Sequence, residues 1–187
     1  MSSASSTPRV LSRGDAIGFV LFIVGGVALA AAAVVQSILA LGPALANRGV
    51  RLAAPFAGTT VDAPIGPDGA PVAVELDAAT IFAPELQPAA QIALIIAEVL
   101  FAAVVVTVVV LLLVLCFGIL RGRIFSRRNT RIVATAGVVT IAGMYGVPFF
   151  HNMAVNGALA RISDYTYDRA VVGSVDLLPI FAVAFVA

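Results

Sequence analysis

The chain has 187 residues, of which 61% are hydrophobic and 11% charged, against roughly 45–50% and about 25% in an average soluble domain. A soluble fold of this size has a small core and a large wetted surface, so the composition excludes one, and the surplus apolar side chains must face lipid. The net charge of +1 says little as a sum, but all 11 basic residues are Arg and they are unevenly placed.

The Arg-only, Ala/Val/Gly-heavy usage points to a GC-rich bacterial genome. Cys116 is the single cysteine, which excludes an intrachain disulfide and a one-chain thiolate metal site. Inside its apolar run it reads as a small buried hydrophobe.

Residues 1–15 are polar and Ser-rich, carry Arg9 and Arg13, and read as a cytoplasmic N-terminus. From Ala16 to Leu41 the chain holds no charge and one amide, Gln36. A helix of that length rises roughly 39 Å, enough for a hydrocarbon core of about 30 Å. A secretory signal is the rival reading, since Ala44-Leu45-Ala46 mimics a cleavage site. Signal cores, however, run only about 7–15 residues, so an uncleaved first span is expected.

Residues 42–88 are punctuated by seven prolines and carry five acids and two arginines. Val72-Ala73-Val74-Glu75-Leu76 alternates as strands do, Pro67-Asp68-Gly69 is a turn signal, and Thr59-Thr60-Val61 can supply the partner strand. A small, partly β extracytoplasmic loop with a hairpin is expected.

The second span, Ala89 to Leu120, is interrupted only by Gln91 and Glu98. Its β-branched centre would aggregate as a strand in water. In lipid it must be helical, because a lone strand leaves its backbone polar groups unsatisfied.

Residues 121–131 then place Arg121, Arg123, Arg127, Arg128 and Arg131 between two apolar segments, which the positive-inside rule assigns to the cytoplasm. Ser126 is a good N-cap for the helix that follows. The third span is expected over Ile132 to Phe150, with Pro148 near its far end, and residues 151–176 form a second outer segment, partly helical over His151 to Ile162. Residues 177–187 turn apolar again, and eleven residues cannot span, so they read as the start of a fourth span, truncated.

The fold expected is therefore an all-α integral membrane protein, a four-helix transmembrane bundle with three complete spans and a small partly β outer loop. Seven arginines against Asp15 give the inner side +6, and four arginines against eight acids give the outer side −4. The asymmetry places a multi-pass protein in the bacterial cytoplasmic membrane with its N-terminus inside.

Candidate chemistry is sparse. Glu98 and Gln36 are the candidate intramembrane polar residues. Counting back roughly 20 residues from Leu120 puts the outer boundary near Phe101, which makes Glu98 an interfacial acid before it is a proton or cation relay or a partner for an Arg. His151 lacks companion ligands at any metal spacing and reads as an interfacial hydrogen-bonding group.

Arg121, Arg123, Phe125, Arg127, Arg128 and Arg131 are the candidate cytoplasmic docking or lipid-contact set. Anionic-lipid contact comes first, at on the order of 1 kcal/mol per Arg, and docking of a cytoplasmic protein second. Direct nucleic-acid binding is least favoured, since so short a loop has no groove-reading element. Gly14 with Gly18, Gly26 with Ala30, and Gly143 near Gly146 offer close helix packing. The sequence has no phosphate loop, Ser/His/Asp set or paired intramembrane carboxylates, so neither an enzyme nor a cofactor is expected.

The inner-loop pattern LRGRIFSRRNTRIV, with the long first helix and the strand-containing outer loop, resembles a family of small bacterial four-span membrane proteins classed as a domain of unknown function. Gly122, Phe125, Ser126 and Asn129 occupy the positions that recur there. The resemblance implies a fourth helix and a short basic tail, which this chain lacks, and gene proximity to a small helix-turn-helix regulator. It implies no catalytic residues. The function expected is a non-catalytic membrane protein acting by contact, as accessory subunit of a larger membrane complex or membrane partner of a cytoplasmic regulator. A small transporter or channel component is the alternative.

Overall fold

The structure, a computed structural model, describes residues 13–121 and 126–165. It is mostly helical: α1 (Arg13–Ala46), α2 (Pro88–Leu120) and α3 (Arg127–Ile162), with one hairpin, β1 (Val50–Ala63) and β2 (Val72–Ala83), between α1 and α2. All three helices are long and apolar enough to cross a membrane. The expected start of a fourth span at 177–187 and the N-terminal residues before Arg13 lie outside the described residues.

The helices have 34, 33 and 36 residues, about 50 Å each at the α-helical rise and well beyond one bilayer. Pro43 falls in the last turn of α1, where its missing N–H leaves the Leu39 carbonyl without a helical donor just before the helix ends. Pro148 does not separate the expected third span, Ile132 to Phe150, from the expected helical stretch His151 to Ile162; one helix runs through both to Ile162. Packing carries it past the proline: beyond Phe150 it buries Ala154, Val155 and Ala158, one stripe at helical spacing.

Helix α2 is central, with α3 packed along one side and α1 along another, while α1 and α3 hardly meet. The α2–α3 seam depends on missing side chains. A Cβ on Gly143 would stand 2.6 Å from Val104 Cγ1, one on Gly146 2.9 Å from Leu100 Cδ2, and one on Gly157 2.6 Å from Ala90 Cβ. These contacts keep one antiparallel register along the seam. On the α1 side, Gly26 faces Val109 at ordinary van der Waals distance, while Gly18 has nothing near it.

The hairpin strands pair antiparallel, with Thr59, Thr60 and Val61 opposite Leu76, Glu75 and Val74. A single 3₁₀ turn at Pro67–Gly69 joins them, with Asp68 and Gly69 at positive φ. Between Pro55 and Thr59 the register slips. Three residues of β1 there oppose one of β2, Gly58 adopts φ +74°, and the Thr59 hydroxyl donates to the Phe56 carbonyl at 2.7 Å.

The buried core sits at one end of the molecule. It joins Ala44, the base of the hairpin (Val50, Leu52, Ala54, Ala83), the first turns of α2 and the stripe on α3. Away from that end the helices display large apolar side chains, Leu21 at 66% and Leu39 at 71% exposure among them, more than monomeric soluble proteins commonly expose.

Candidate functional site

Three places gather polar groups, and the first is the Arg end. Helix α3 starts where Ser126 stops the chain in an extended conformation and its side-chain oxygen accepts from the Asn129 N–H at 3.2 Å. That cap rotates Asn129 inward, and it is buried. Across the seam Gly118 makes room for it: a Cβ there would meet the Asn129 Oδ1 at 3.1 Å.

Beside this contact lies a cavity of about 320 Å³, lined by Val114, Phe117, Gly118, Arg121, Ser126, Arg128 and Asn129. Of the sequence-derived docking set, Arg121 and Arg128 therefore share one cavity. Arg127 and Arg131 are exposed outside it, and Arg123 and Phe125 lie outside the described residues. Among the described residues, none of Arg121, Arg127, Arg128 and Arg131 is paired with a carboxylate.

The second place is the α1–α2 seam. Glu98 is half-buried there, and the Ser37 hydroxyl faces its carboxyl. Ser37 is 1% exposed and no hydrogen bond closes on its oxygen. Gln36, the neighbouring candidate, is exposed instead, so these two sequence candidates are not brought together. His151 is half-buried on α3, and among the described residues no three His, Cys, Asp or Glu side chains cluster as metal ligands would.

The third place, missed in the sequence, anchors the hairpin. Asn47 stands at φ +48° just past α1, a left-handed position that Asn tolerates better than most residues. Its Nδ2 donates to the Leu86 carbonyl at 3.0 Å and its Oδ1 accepts from the Leu86 N–H at 2.8 Å, so one side chain imitates a strand partner.

Gln91 Nε2 donates to the Ala44 carbonyl at 2.9 Å, filling one of the acceptors that every helix leaves open at its C-terminus. Gln87 Nε2 bonds the Tyr165 hydroxyl and so links α2 to the end of α3. Arg51 lies over the Phe82 ring, 5.3 Å from its centroid, on the face turned away from the core. Next to it a wider depression of about 810 Å³ opens between Arg48, Glu85 and Arg161.

The only local signal for this anchor was Asn-Arg-Gly at 47–49 after a helical run, a chain-reversal composition. Ser37 carried none. Comparison of the chain with family models, curated proteins and solved structures gives no match.

Proposed function

We propose that the protein is a multi-pass component of the bacterial cytoplasmic membrane, Arg end inside and hairpin outside, that acts by binding other protein chains as an accessory subunit of a larger membrane complex. The observation that carries this reading is the hairpin. Strands of 14 and 12 residues extend roughly 40 Å or more, yet among the described side chains the strands bury only those at their base, Val50, Leu52, Ala54 and Ala83. A two-stranded sheet leaves one edge of each strand open, and an open edge is a template for another strand.

The two edges are not equivalent. Pro55 and the bulge interrupt β1, whereas β2 runs through twelve residues without a proline or a register break of its own. The edge of β2 is therefore where a partner strand adds. Val72 and Phe82 are exposed along it and supply apolar contacts, while Glu75 and Asp77 set a preference for a basic partner.

The resemblance to four-span proteins of unknown function is kept as a further proposal, supported by the jobs two of its recurring positions do here: Ser126 caps α3 and Asn129 fills the gap over Gly118. A cytoplasmic regulator docking on exposed Arg127 and Arg131 is compatible with the same scheme.

The test is gentle detergent extraction of the full chain, with mass spectrometry of co-purifying proteins, for wild type and for a variant in which residues 59–76 are replaced by a two-residue turn. The expected result is a partner lost on shortening the arm. A partner retained in full would refute the role of the arm.

A transport reading has one observation in its favour, the half-buried Glu98 facing the unbonded Ser37 hydroxyl. It requires a flux in proteoliposomes that Glu98→Gln abolishes, and an unchanged or absent flux removes it.

A further inference from the structure

We infer that the cavity at the Arg end is a binding site for one anionic phospholipid, its phosphate held between Arg121 and Arg128 and an acyl chain laid along Phe117 and Val114. The inference rests on the membrane placement above and adds a ligand and a site to it.

Two features of the cavity belong together. Its rim holds two guanidinium groups and a buried carboxamide, Asn129. Guanidinium forks match phosphate oxygens in geometry and charge, and no carboxylate among the described residues competes for them.

Its wall is apolar and runs in one direction. Val114, Phe117 and Arg121 stand at i, i+3 and i+7, so they share one face of α2. The charged group lies at the helix end, and the apolar ones lead from it toward the middle of the span. Phe117 keeps 49% of its surface exposed beside the cavity, so the wall is open to a long apolar chain from the side.

That gradient selects among phosphate sources. A free phosphate would use the rim and leave the wall idle, and a phosphorylated peptide would have to enter the hydrocarbon to reach it. A phospholipid fits both parts with its own head-to-tail order. The volume, about 320 Å³, is at the small end for a ligand pocket and suits a headgroup phosphate with its glycerol, the tails running out along the helix.

The discriminating comparison removes the same charge from two places. The Arg121→Gln/Arg128→Gln pair empties the rim. The Arg127→Gln/Arg131→Gln pair lowers the charge of the same helix end outside the cavity. All four arginines are exposed, so neither pair threatens the fold.

Full-length protein is extracted in mild detergent, and retention of phosphatidylglycerol and phosphatidylcholine is titrated by native mass spectrometry. Phosphatidylglycerol should bind wild type in preference to phosphatidylcholine. The rim pair should weaken it roughly 30-fold, about fivefold for each guanidinium that loses its charge-assisted hydrogen bond to the phosphate, and the control pair less than threefold. Inorganic phosphate at millimolar concentration should not displace the lipid.

Equal losses in the two pairs would overturn the site in favour of diffuse surface charge, and displacement by free phosphate would overturn the lipid. Release of the protein from membranes by alkaline carbonate would overturn the placement itself, which separates that failure from the failure of the site.

Discussion

The polar link between the hairpin base and the start of α2 runs through the Asn47 side chain, and Asn47→Ala should loosen it. Two hydrogen bonds to the Leu86 backbone disappear, each contributing about 0.5–1.5 kcal/mol. Leu86 is 4% exposed, so water does not readily replace them. The Asn47 backbone at φ +48° adds about 1 kcal/mol of strain once the polar side chain is gone. Together the substitution should lower the local stability of the hairpin base by roughly 2–4 kcal/mol.

The assay is Arg-specific proteolysis of the full chain in detergent, followed at the Arg51–Leu52 bond. Leu52 is 1% exposed and paired with Ile81, so that bond is cut only from an opened hairpin. When reclosing outpaces cleavage, the rate follows the opening equilibrium, and it should rise by about 30- to 1000-fold.

Asn47→Gly loses the same hydrogen bonds without the strain and should be cut about fivefold more slowly than the Ala variant. An Ala variant cut within threefold of wild type would refute the anchoring role. Equal rates for Ala and Gly would refute the backbone part alone.

Two further substitutions probe the seam and the bulge. Gly143→Ala places a methyl 2.6 Å from Val104 Cγ1 and 2.8 Å from Cγ2; overpacking of about 1–3 kcal/mol should exceed the gain of about 1 kcal/mol in helix propensity. Val104→Ala in the same chain should rescue it, as read by heating with a thiol-reactive dye whose target, Cys116, is buried in the folded protein.

Gly58→Ala forces a side chain to φ +74° with Glu75 Oε1 2.6 Å away. The Glu75 side chain can swing aside but the backbone cannot, so a cost of about 1–2 kcal/mol should persist when Glu75 is also changed to Ala. Relief by that second change, measured through cleavage at Arg51, would place the cost in the clash instead.

Sequence was most informative where one physical demand acts alone. The C-terminal end of α2 was legible because an apolar run meets Arg121, and the start of α3 because Ser126 is a strong cap. The hairpin turn was legible because Pro67-Asp68-Gly69 suits positive φ at Asp68 and Gly69.

Legibility failed where a distant part of the chain decides. Nothing local in Val50–Ala57, with its alanines and Pro55, announces a strand; it is one because Val50, Leu52 and Ala54 are buried against α2 and α3. Helix over His151 to Ile162 was expected from the lack of a strong breaker, but not its continuity with the third span through Pro148, which is supported by packing such as Gly157 against Ala90. The pairing of Arg121 with Arg128 in one cavity depends on Gly118 opposite Asn129, a relation across the seam that no linear motif displays.

The same packing bears on where the bilayer sits in the proposed placement. About 20 residues of α2 suffice to cross, and counting back from Arg121 ends near Phe101. The buried core gives a second, independent limit. Along α2 closely spaced burial runs through Ala90, Ala93, Leu94 and Ala97 and then becomes sparse. The two limits differ by about one turn, and Glu98 lies between them.

In the proposed placement an acid at that position stands at the aqueous edge of the bilayer, where its partly exposed carboxyl needs no intramembrane partner beyond the buried Ser37 hydroxyl that faces it. Under the proposed placement the charge pattern and the packing, which have separate physical origins, both put Glu98 at the hairpin-side boundary, and this favours the contact reading over the transport one.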